Sequence, residues 1–591
     1  MLKRGMLPLC RTVLKYSPKG FFFFLLEKVL YGILPSIRVY LFAGMVDAVL
    51  HIGREEADWM CVVPLLLAVF LVQFAGWILR EAESYVTRTM KMEVEKKYSL
   101  DLMRKISVLK YEYFEEDETR NLISRITDQG WNKVVDGYIN LLSMAGSLIS
   151  VAGISIIVAG TNPLVGGVIL LFDIPIVLLA WRNGTVTYEA NQETTRYKRN
   201  YQYLESVLLS RESVCERKLF HAFDKWNSRW KEEYDHKRRL EMAAFMRYFL
   251  SIRLNAVAEI ICICFILAAL AVPVLEGGMT AGLYFAVSGN LIQLFQLQAK
   301  SMTYCISSFV GSVKYMEEVC RLLEYEEVRQ EAVSGAKDAG DVTIVCSGLK
   351  FKYPNAAGYS LDGVSLTLEP DKRYAFVGRN GSGKTTLMKL FVGLYTSYEG
   401  SLLINGREAR DYGTEELRRL FSVVFQDYAK YGISVEDNVA IGNIDRMEEA
   451  RGKAQAALQD LGLWEEVRSL KDGAKTTLGK VKKDSADLSL GQWQKLALAR
   501  GLVSDAPVKI LDEPTAALDP NLECEFYRKY EELCGRSETI LVSHRLASVQ
   551  NADRIFVLDG GKVAEAGTHD ELMGLKGLYY EMFTQQRKWY D

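Results

Sequence analysis

Hydrophobic and polar positions follow two different patterns along the chain, one before and one after about residue 310. In the first part, long apolar runs alternate with charged stretches, and each run is near the ~20 residues that a helix needs to cross the hydrocarbon core of a bilayer. This pattern predicts an α-helical transmembrane domain over residues 1–310. Its six predicted spans are 20–44, 58–80, 135–159, 163–182, 250–274 and 278–302.

The connections between the predicted spans differ greatly in length. Those near 161–163 and 276–278 are tight turns, whereas 81–134 and 183–249 are long, charged and helical in pattern. Basic residues precede the first span, so the positive-inside rule places the N-terminus in the cytoplasm. The long connections then lie on the cytoplasmic side as two helical lobes. The basic residues are Lys3, Arg4, Arg11, Lys15 and Lys19.

Three predicted spans contain charged residues, which are Glu27, Lys28 and Arg38 in the first, Asp173 in the fourth and Glu259 in the fifth. A charge near the centre of a membrane helix costs about 2.5–3.5 kcal/mol, so these side chains should face the bundle interior, a watery cavity or each other. The alternative is that those of the first span extend to the membrane surface, or that the span boundaries are off by a turn.

After residue 340, short apolar strands alternate with helical segments, which is typical of an α/β domain on a mainly parallel sheet. A charged helix and a small polar linker occupy 311–340, so 341–591 should fold as a separate domain. The 591 residues suit several domains, and the net charge of −2 argues against nucleic-acid binding through bulk charge. The 10 cysteines form no CxxC pair and are predicted to be reduced or lipid-buried thiols.

The stretch 378–385, with the sequence GRNGSGKT, is predicted to bind phosphate. An apolar strand precedes it at 373–377, and residues 386–391 have helical character. Its glycines let successive backbone N–H groups turn around phosphate oxygens, and the following helix N-terminus adds partial positive charge. Lys384 would then reach the β- and γ-phosphates, and Thr385 would ligate Mg²⁺.

A second predicted strand, 508–513, ends in the carboxylates of Asp512 and Glu513. Ligands of parallel sheets collect at the carboxyl ends of strands, so Asp512 can orient the Mg²⁺ water shell while Glu513 polarises an attacking water. Lys509 is unexpected in this strand, because strands of a parallel sheet are buried on both faces.

Three further residues fit the same chemistry. Gln426 can ligate Mg²⁺ and sense the nucleotide, and His544, after another strand, could contact the γ-phosphate. Tyr353 could stack on a purine ring. Any one of these residue types is more often structural, so their weight comes from their order and spacing along the chain.

Together the phosphate loop, Gln426, the stretch LSLGQ at 488–492, the stretch 512–519 and His544 resemble the nucleotide-binding domain of an ATP-binding cassette (ABC) transporter. Six spans with two long cytoplasmic extensions are similar to an exporter-type half-transporter of that family. The resemblance covers essentially the whole chain. It implies an α-helical six-span transmembrane domain fused to an α/β P-loop NTPase domain.

The resemblance also implies that two chains pair, as a homodimer or a heterodimer, around two ATP molecules with Mg²⁺. Each ATP would lie between the phosphate loop of one chain and the 488–492 stretch of the other, with Asp519 facing the partner's site. The implied nucleotide contacts are Tyr353, Gly378, Asn380, Gly381, Ser382, Gly383, Lys384, Thr385, Thr386, Gln426, Ser489, Gly491 and Gln492. The implied metal ligands are Thr385, Gln426 and Asp512, and the implied catalytic residues are Glu513, His544 and Lys384.

Two features of the resemblance need separate mention. Leu490 stands where this family most often has glycine, and nucleotide contact is expected to survive because Ser489, Gly491 and Gln492 remain. The coupling segments of the family would lie at the tips of the two lobes, around 114–117 and 210–213. They would dock near the Gln426 loop and link domain closure to the membrane helices.

The function implied is ATP-driven export of a small molecule, peptide or lipid by alternating access in a bacterial plasma membrane. An ATP-gated channel or sensor and an importer with exporter architecture remain alternatives. The expected partners are the lipid bilayer and a second half-transporter, with no nucleic acid. No cleavable signal peptide and no appended peptidase are expected. The stretch 491–495 resembles versions in peptide and natural-product exporters of Gram-positive bacteria, but the charges of the spans define no substrate.

Overall fold

The computed structural model describes residues 2–53, 59–127, 130–328, 340–354, 356–479, 485–513 and 537–588. The chain forms two compact units. One contains Met1–Ser107 and Asn121–Tyr325, and the other contains Val108–Arg120 and Glu326–Asp591. In this division the tip of the first lobe groups with the C-terminal unit, which differs from the predicted domains. The predicted boundary at residue 310 falls inside a continuous helix.

Long helices make up the N-terminal unit. In chain order the α-helices up to residue 325 are α1 (Leu7–Tyr16), α2 (Pro18–Gly53), α3 (Val62–Ser107), α4 (Glu112–Glu115), α5 (Asp117–Thr127), α6 (Gly130–Ala159), α7 (Pro163–Leu209), α8 (Arg211–Leu219), α9 (Phe223–Leu275) and α10 (Ala281–Leu323).

Four helical segments within the described residues are long and apolar enough to cross a membrane. They are Pro18–Gly53, Trp59–Ser107, Gly130–Ala159 and Val257–Leu275. The other two predicted spans are helical too, inside α7 and α10, and the count of six spans stays a prediction. At about 1.5 Å per residue, a helix of the length of α3 extends far beyond a hydrocarbon core of about 30 Å. The long connections are therefore helical continuations of the spans, as the sequence predicted.

Small residues bring helices α2 and α6 close together. A Cβ atom added at Gly32 would lie 2.8 Å from the Gly146 carbonyl oxygen, and one added at Gly146 would lie 2.9 Å from the Lys28 carbonyl oxygen. The Ser150 hydroxyl donates to the Gly32 carbonyl at 3.0 Å. Small side chains allow this approach, which is typical of helix pairs in membranes.

Two of the three charges of the first predicted span, Glu27 and Lys28, lie inside the helix bundle, and Arg38 is half-buried. Glu27 and Lys28 are 1% and 8% exposed, and the Lys28 ammonium lies 3.2 Å from the Glu27 carboxylate and also pairs with Glu83. These two charges therefore face each other, as the first of the two sequence interpretations proposed. Glu259 is also buried, and the side chain of Asp173 lies outside what the structure describes.

Strands and shorter helices alternate in the C-terminal unit. The strands are β1 (Ile344–Phe351), β2 (Leu361–Leu368), β3 (Arg373–Gly378), β4 (Glu399–Ile404), β5 (Arg407–Glu408), β6 (Phe421–Val424), β7 (Val508–Asp512), β8 (Glu538–Val542), β9 (Arg554–Asp559) and β10 (Lys562–Gly567). The described helices are α11 (Lys384–Phe391), α12 (Thr414–Leu420), α13 (Val435–Ala440), α14 (Met447–Asp460), α15 (Trp464–Arg468), α16 (Leu490–Leu502), α17 (His569–Leu575) and α18 (Leu578–Arg587).

These strands form two sheets. The smaller is antiparallel, in the order β2-β1-β4-β5, and the larger has the order β10-β9-β3-β8-β7-β6. Within the larger sheet β3 pairs parallel with β8 and β9, β7 pairs parallel with β8 and β6, and β10 is an antiparallel edge strand. Apolar side chains of α11 fill the space between the sheets, and those of α14 and α16 cover the other face of the larger sheet. This layering buries β7 and β8 on both faces, as expected for a parallel sheet.

The buried Lys509 of β7 has a structural role. Its ammonium donates to the carbonyl oxygens of Gly501, at 2.8 Å, and Ser504. Both carbonyls lie at the C-terminal end of α16, where unpaired carbonyls and the helix dipole favour a cation. Lys509 thus ties the strand that ends in Asp512 to helix α16.

Candidate active site

The predicted site residues come together because their strands are neighbours. In the larger sheet, β3, β8, β7 and β6 lie side by side and run parallel. The phosphate loop begins at the end of β3, His544 follows β8, Asp512 and Glu513 end β7, and Gln426 follows β6. Carboxyl ends of parallel strands meet at one edge of a sheet, which is where ligands bind in such folds.

Glycine is required at two positions of the phosphate loop. Gly378 has φ +149° and Gly383 has φ +101°, conformations that residues with a side chain rarely adopt. A Cβ atom at Gly378 would lie 2.2 Å from the Leu558 carbonyl oxygen, and one at Gly383 would lie 2.6 Å from Leu361 Cδ2. The loop therefore passes too close to its neighbours for any other residue.

Lys384 begins helix α11 and points back into the loop. Its Nζ donates to the carbonyl oxygens of Gly378 at 3.0 Å and Arg379 at 3.1 Å. The residue is 6% exposed, and burial lowers the pKa of its ammonium despite the opposing charges of Glu513 and Asp512. The loop thus holds a desolvated cation where phosphate oxygens would enter.

Two oxygen ligands that suit Mg²⁺ lie next to the loop. The Thr385 hydroxyl donates to Asp512 Oδ1 at 3.2 Å, while Asp512 Oδ2 is buried without a hydrogen-bond partner among the described residues. Burial raises the pKa of Asp512 to about 6, although the Thr385 hydrogen bond opposes the rise. A hydroxyl and a carboxylate with a spare buried oxygen fit a hard cation that also binds phosphate and water. Gln426, the third predicted ligand, is exposed.

Glu513 and His544 form a pair. His544 Nδ1 lies 3.2 Å from Glu513 Oε2, and this contact is the main cause that lowers the pKa of Glu513. Glu513 adopts a left-handed backbone conformation with φ +46°, and its N–H donates to the Val542 carbonyl at 3.0 Å. A non-glycine residue with positive φ is uncommon and stores strain, which often occurs at functional sites.

The 488–492 stretch forms the start of helix α16. Ser489 is the N-cap, its hydroxyl accepts from the Gln492 N–H at 3.3 Å, and the Gln492 side chain accepts from the Ser489 N–H at 2.9 Å. This capping box fixes the helix N-terminus. Leu490, 59% exposed, stands beside Gly491 at that end. Trp493 is buried in the core, with its indole N–H donating to Asp487, so it acts as a packing residue.

Tyr353 lies beside the phosphate-loop helix rather than in open space. Its hydroxyl is 3.0 Å from the Thr386 hydroxyl, and its ring packs edge-on against Phe351 and Tyr395. Stacking of Tyr353 on a purine stays a prediction. Asn380, Gly381 and Ser382 form the turn of the loop, and the buried Ser382 hydroxyl has no hydrogen-bond partner in the described part of the chain.

The sequence profile of the ABC transporter family matches residues 361–516, which include β2, the phosphate loop, the capped start of α16 and Asp512–Glu513. This match assigns residues 361–516 to the ABC transporter family. A similar protein over most of its length is the subtilin transport ATP-binding protein SpaT of Bacillus subtilis, 27% identical over 96% of this chain and 94% of that one. The nisin transport ATP-binding protein NisT of Lactococcus lactis subsp. lactis is 26% identical over 94% and 91%.

The chain is also similar to a lipid flippase and to a solved exporter structure. The ATP-dependent lipid A-core flippase of Francisella novicida is 28% identical over 87% of this chain and 86% of that protein. Among solved structures, a bacterial Atm1-family ABC exporter with ATP bound has a TM-score of 0.79 at 23% identity, covering 95% of this chain and 98% of that one. The fold is therefore that of an ABC exporter, with a helical transmembrane region and an α/β nucleotide-binding domain.

The first predicted coupling segment contacts the helix after the phosphate loop. Glu115 pairs with Lys389 of α11 at 3.6 Å, and Tyr111 packs edge-on against Tyr395. The Lys389 ammonium also lies 5.4 Å from the Tyr111 ring centroid. The described ion pair and ring contacts of this segment are with α11 and Tyr395, because the lysine attracts both the carboxylate and the rings. Docking of the segment near Gln426 stays a prediction.

The second predicted coupling segment, 210–213, belongs to the N-terminal unit. Ser210 joins α7 to α8, and residues 211–213 form the start of α8. Large apolar side chains near this segment are exposed. Leu209 is 76% exposed, Leu219 73% and Phe220 70%. Asp519, predicted to face a partner's site, and the rest of 514–519 lie outside the described residues.

Sequence reasoning missed several residues that shape the site. Arg500, on α16, donates to the carbonyls of Ala429 at 2.9 Å and Asn438 at 3.0 Å, and lies over the Tyr431 ring. It ties α16 to the segment after Gln426. Neither Arg500 nor Lys389 belongs to a short motif, and a basic residue on a helix would ordinarily be interpreted as solvent-exposed.

Proposed function

We propose that this chain is an ATPase and one half of an ATP-driven exporter in a bacterial plasma membrane. The observation that carries the proposal is the grouping of Lys384, the Thr385–Asp512 contact and the Glu513–His544 pair at one edge of the parallel sheet. No single one of these contacts is specific. Together they supply a phosphate cradle, metal ligands and a general base, which are the groups that phosphoryl transfer needs.

Each residue has a defined task in this proposal. The loop N–H groups and Lys384 bind the β- and γ-phosphates, and Thr385, Gln426 and Asp512 hold Mg²⁺, which neutralises phosphate charge. Glu513 is ionised at neutral pH, as a glutamate ordinarily is, and the His544 contact lowers its pKa further. Its carboxylate accepts the proton of the attacking water. The His544 ring orients this carboxylate and reaches toward the γ-phosphate.

The proposed dimer rests on the helix N-terminus that one chain presents to its surroundings. The capped N-terminus of α16, with Ser489, Gly491 and Gln492, carries the positive end of a helix dipole and suits a γ-phosphate bound by the partner chain. The exposed apolar residues around Leu219 supply a surface for the second half-transporter. That partner is a second copy or a different subunit.

The proposed cargo is a small molecule, a peptide or a lipid. The names of the similar proteins refer to the transport of subtilin and nisin, which are peptides, and of lipid A-core, which is a lipid. The N-terminus and the nucleotide-binding domain would lie in the cytoplasm, since basic residues precede the first span. Transport would then run outward from the ATP side.

The experiment is ATPase activity of the purified full chain in lipid. Glu513→Gln is expected to keep ATP binding and lose at least about 100-fold in kcat, because the general base is gone. Lys384→Ala is expected to weaken ATP binding itself. Glu465→Gln, an exposed glutamate of α15, is the matched control and should behave like the parent.

Four outcomes would contradict parts of this proposal, and a fifth would identify the partner as a different subunit. Unchanged kcat in Glu513→Gln would remove the general base, and unchanged ATP affinity in Lys384→Ala would remove the phosphate loop. In vesicles, substrate flow that persists without hydrolysis would indicate a gated channel, and inward transport would indicate an importer. Silence of a folded parent chain would indicate a missing second subunit.

A further inference from the structure

The last described helix, α18, is fastened to the loop that carries His544. The side-chain amide of Gln586 spans this loop, with its Nε2 donating to the His544 carbonyl and its Oε1 accepting from the Leu546 N–H at 2.8 Å. One amide therefore fixes the backbone on both sides of Arg545. Gln586 is half-buried, whereas its neighbour Gln585 is exposed.

Helix α18 is itself held firmly. The Glu565 carboxylate, from β10, accepts hydrogen bonds from the N–H groups of Leu578 and Tyr579 at the start of the helix. Tyr579 is fully buried, and its hydroxyl lies 2.8 Å from His569 Nδ1. A helix fixed at its N-terminus and along its buried side presents Gln586 from a rigid support.

The loop has a second restraint at its other end. The Ser543 N–H donates to the Phe376 carbonyl of β3 at 3.2 Å, and the Ser543 hydroxyl accepts from the Arg545 N–H at 2.9 Å. The sheet thus fixes where the loop leaves β8, and Gln586 fixes the path of the next residues. His544 lies between these restraints, and its ring sits 3.2 Å from Glu513.

We propose that Gln586 is a positioning residue for ATP hydrolysis, which holds the His544 loop so that the imidazole meets the Glu513 carboxylate. This inference rests on the proposed function of that pair. Gln586 acts on the loop backbone and touches neither the phosphate loop nor the metal ligands in its described hydrogen bonds. Its loss should therefore slow the chemical step and leave ATP binding intact.

Two variants separate the contacts of Gln586. Gln586→Glu keeps the acceptor for the Leu546 N–H but replaces the donor to the His544 carbonyl with a carboxylate oxygen. Gln586→Met keeps the length and removes both hydrogen bonds. Gln585→Glu is the matched control, because it makes the same chemical change one position earlier on an exposed side chain.

The measurement is steady-state ATPase kinetics of the full chain in lipid, with ATP binding measured separately. Gln586→Glu and Gln586→Met are expected to lower kcat about tenfold, with the KM for ATP and the ATP affinity within about twofold of the parent. Gln585→Glu is expected to match the parent in both. A merely structural role would instead lower the amount of folded, ATP-binding protein and leave kcat per bound site unchanged.

A double variant gives the sharper test. Once His544→Ala has removed the imidazole, Gln586→Met should lower kcat by less than about twofold further, because residues that act through one group are not additive. Parental kcat in both Gln586 variants, or a full tenfold additional loss in the His544→Ala background, would overturn the inference. If Glu513→Gln retained parental kcat, the proposed function itself would fail, which is a distinguishable result.

Discussion

The pKa values of two adjacent carboxyl groups shift in opposite directions because their surroundings differ. Asp512 is 1% exposed, and burial raises its pKa to about 6, whereas the His544 contact lowers the pKa of Glu513. The strand ends at Asp512, and the left-handed backbone conformation of Glu513 turns its side chain into a different environment, beside His544. Pairs of titratable groups with pKa values pushed apart are typical of sites that combine ligation and base catalysis.

A third carboxyl, outside the site, gives a prediction about stability. Glu538 of β8 is 3% exposed, and burial, followed by the nearby charge of Asp371, raises its pKa to about 8. The folded chain then holds a proton that the unfolded chain has lost, so this residue lowers stability as pH rises from about 4.5 to 8. Glu538→Gln is expected to be more stable than the parent at pH 8, by about 2–4 kcal/mol, and equal to it near pH 4.5.

Thermal unfolding of the full chain in detergent at several pH values measures this effect. Glu369→Gln is the control, since Glu369 is exposed and pairs with Lys372, which lowers its pKa. That substitution should produce a small shift of the opposite sign. An identical pH dependence of the melting temperature in the parent and Glu538→Gln would contradict the assignment of a buried, protonated carboxyl.

At the scale of elements, helix α16, which begins in the 488–492 stretch, is tied to its surroundings at both ends. The Tyr428 hydroxyl donates to the Leu490 carbonyl at 3.1 Å near its start. Near its end, Arg500 donates outward to the carbonyls of Ala429 and Asn438, and the Gly501 carbonyl accepts from Lys509. These bonds link α16 to the segment after β6 and to strand β7. Helix α16, the Gln426 segment and the strand of Asp512 are therefore connected by side-chain hydrogen bonds rather than by apolar packing alone.

Lys509→Met tests one of these ties. Methionine fits the length of the side chain but leaves the carbonyls of Gly501 and Ser504 without their donor, which should cost about 2 kcal/mol of stability. Lys495→Met is the control: this lysine lies on α16 itself, and its half-exposed ammonium donates to the single carbonyl of Gly462. The melting temperature of the full chain should fall clearly more for Lys509→Met. Equal shifts in the two variants would show that Lys509 does not hold the helix.

At the scale of the whole molecule, the proposed ATP site needs two chains, so activity should be recoverable by mixing defective ones. A chain with Lys384→Ala lacks a working phosphate loop, and a chain with Ser489→Arg lacks a working N-terminus of α16. In a dimer of the two, one site combines both defects and the other combines both intact halves. Co-expression is therefore expected to restore about a quarter of parental ATPase activity, if pairing is random and the sites work independently.

The control for this experiment is co-expression of two differently tagged copies that carry the same substitution. Such dimers contain no intact site and should stay inactive in both cases. Activity of the Ser489→Arg chain alone would mean that α16 of one chain does not complete the site of another. A mixed dimer that forms but has no activity would contradict the shared site.

Much of this protein could be predicted from sequence, because many of its signals are local. The long apolar runs of the first half require only a bilayer to become helices, and the structure has helices at all six predicted spans. The phosphate loop depends on glycines whose backbone angles other residues rarely adopt, and the capping box needs Ser489 and Gln492 three positions apart. Strand order then brings Asp512 and His544 to the loop.

Only the tertiary structure could show what depends on packing between distant parts of the chain. The pairing of Glu115 with Lys389 joins residues far apart in sequence and brings the first predicted coupling segment into contact with α11. The roles of Lys509 and Gln586 depend on which carbonyls lie within reach after folding. Spacing along a chain fixes the geometry of a turn or a helix cap, whereas long-range contacts and burial, and thus the pKa of Asp512, exist only once the elements pack together.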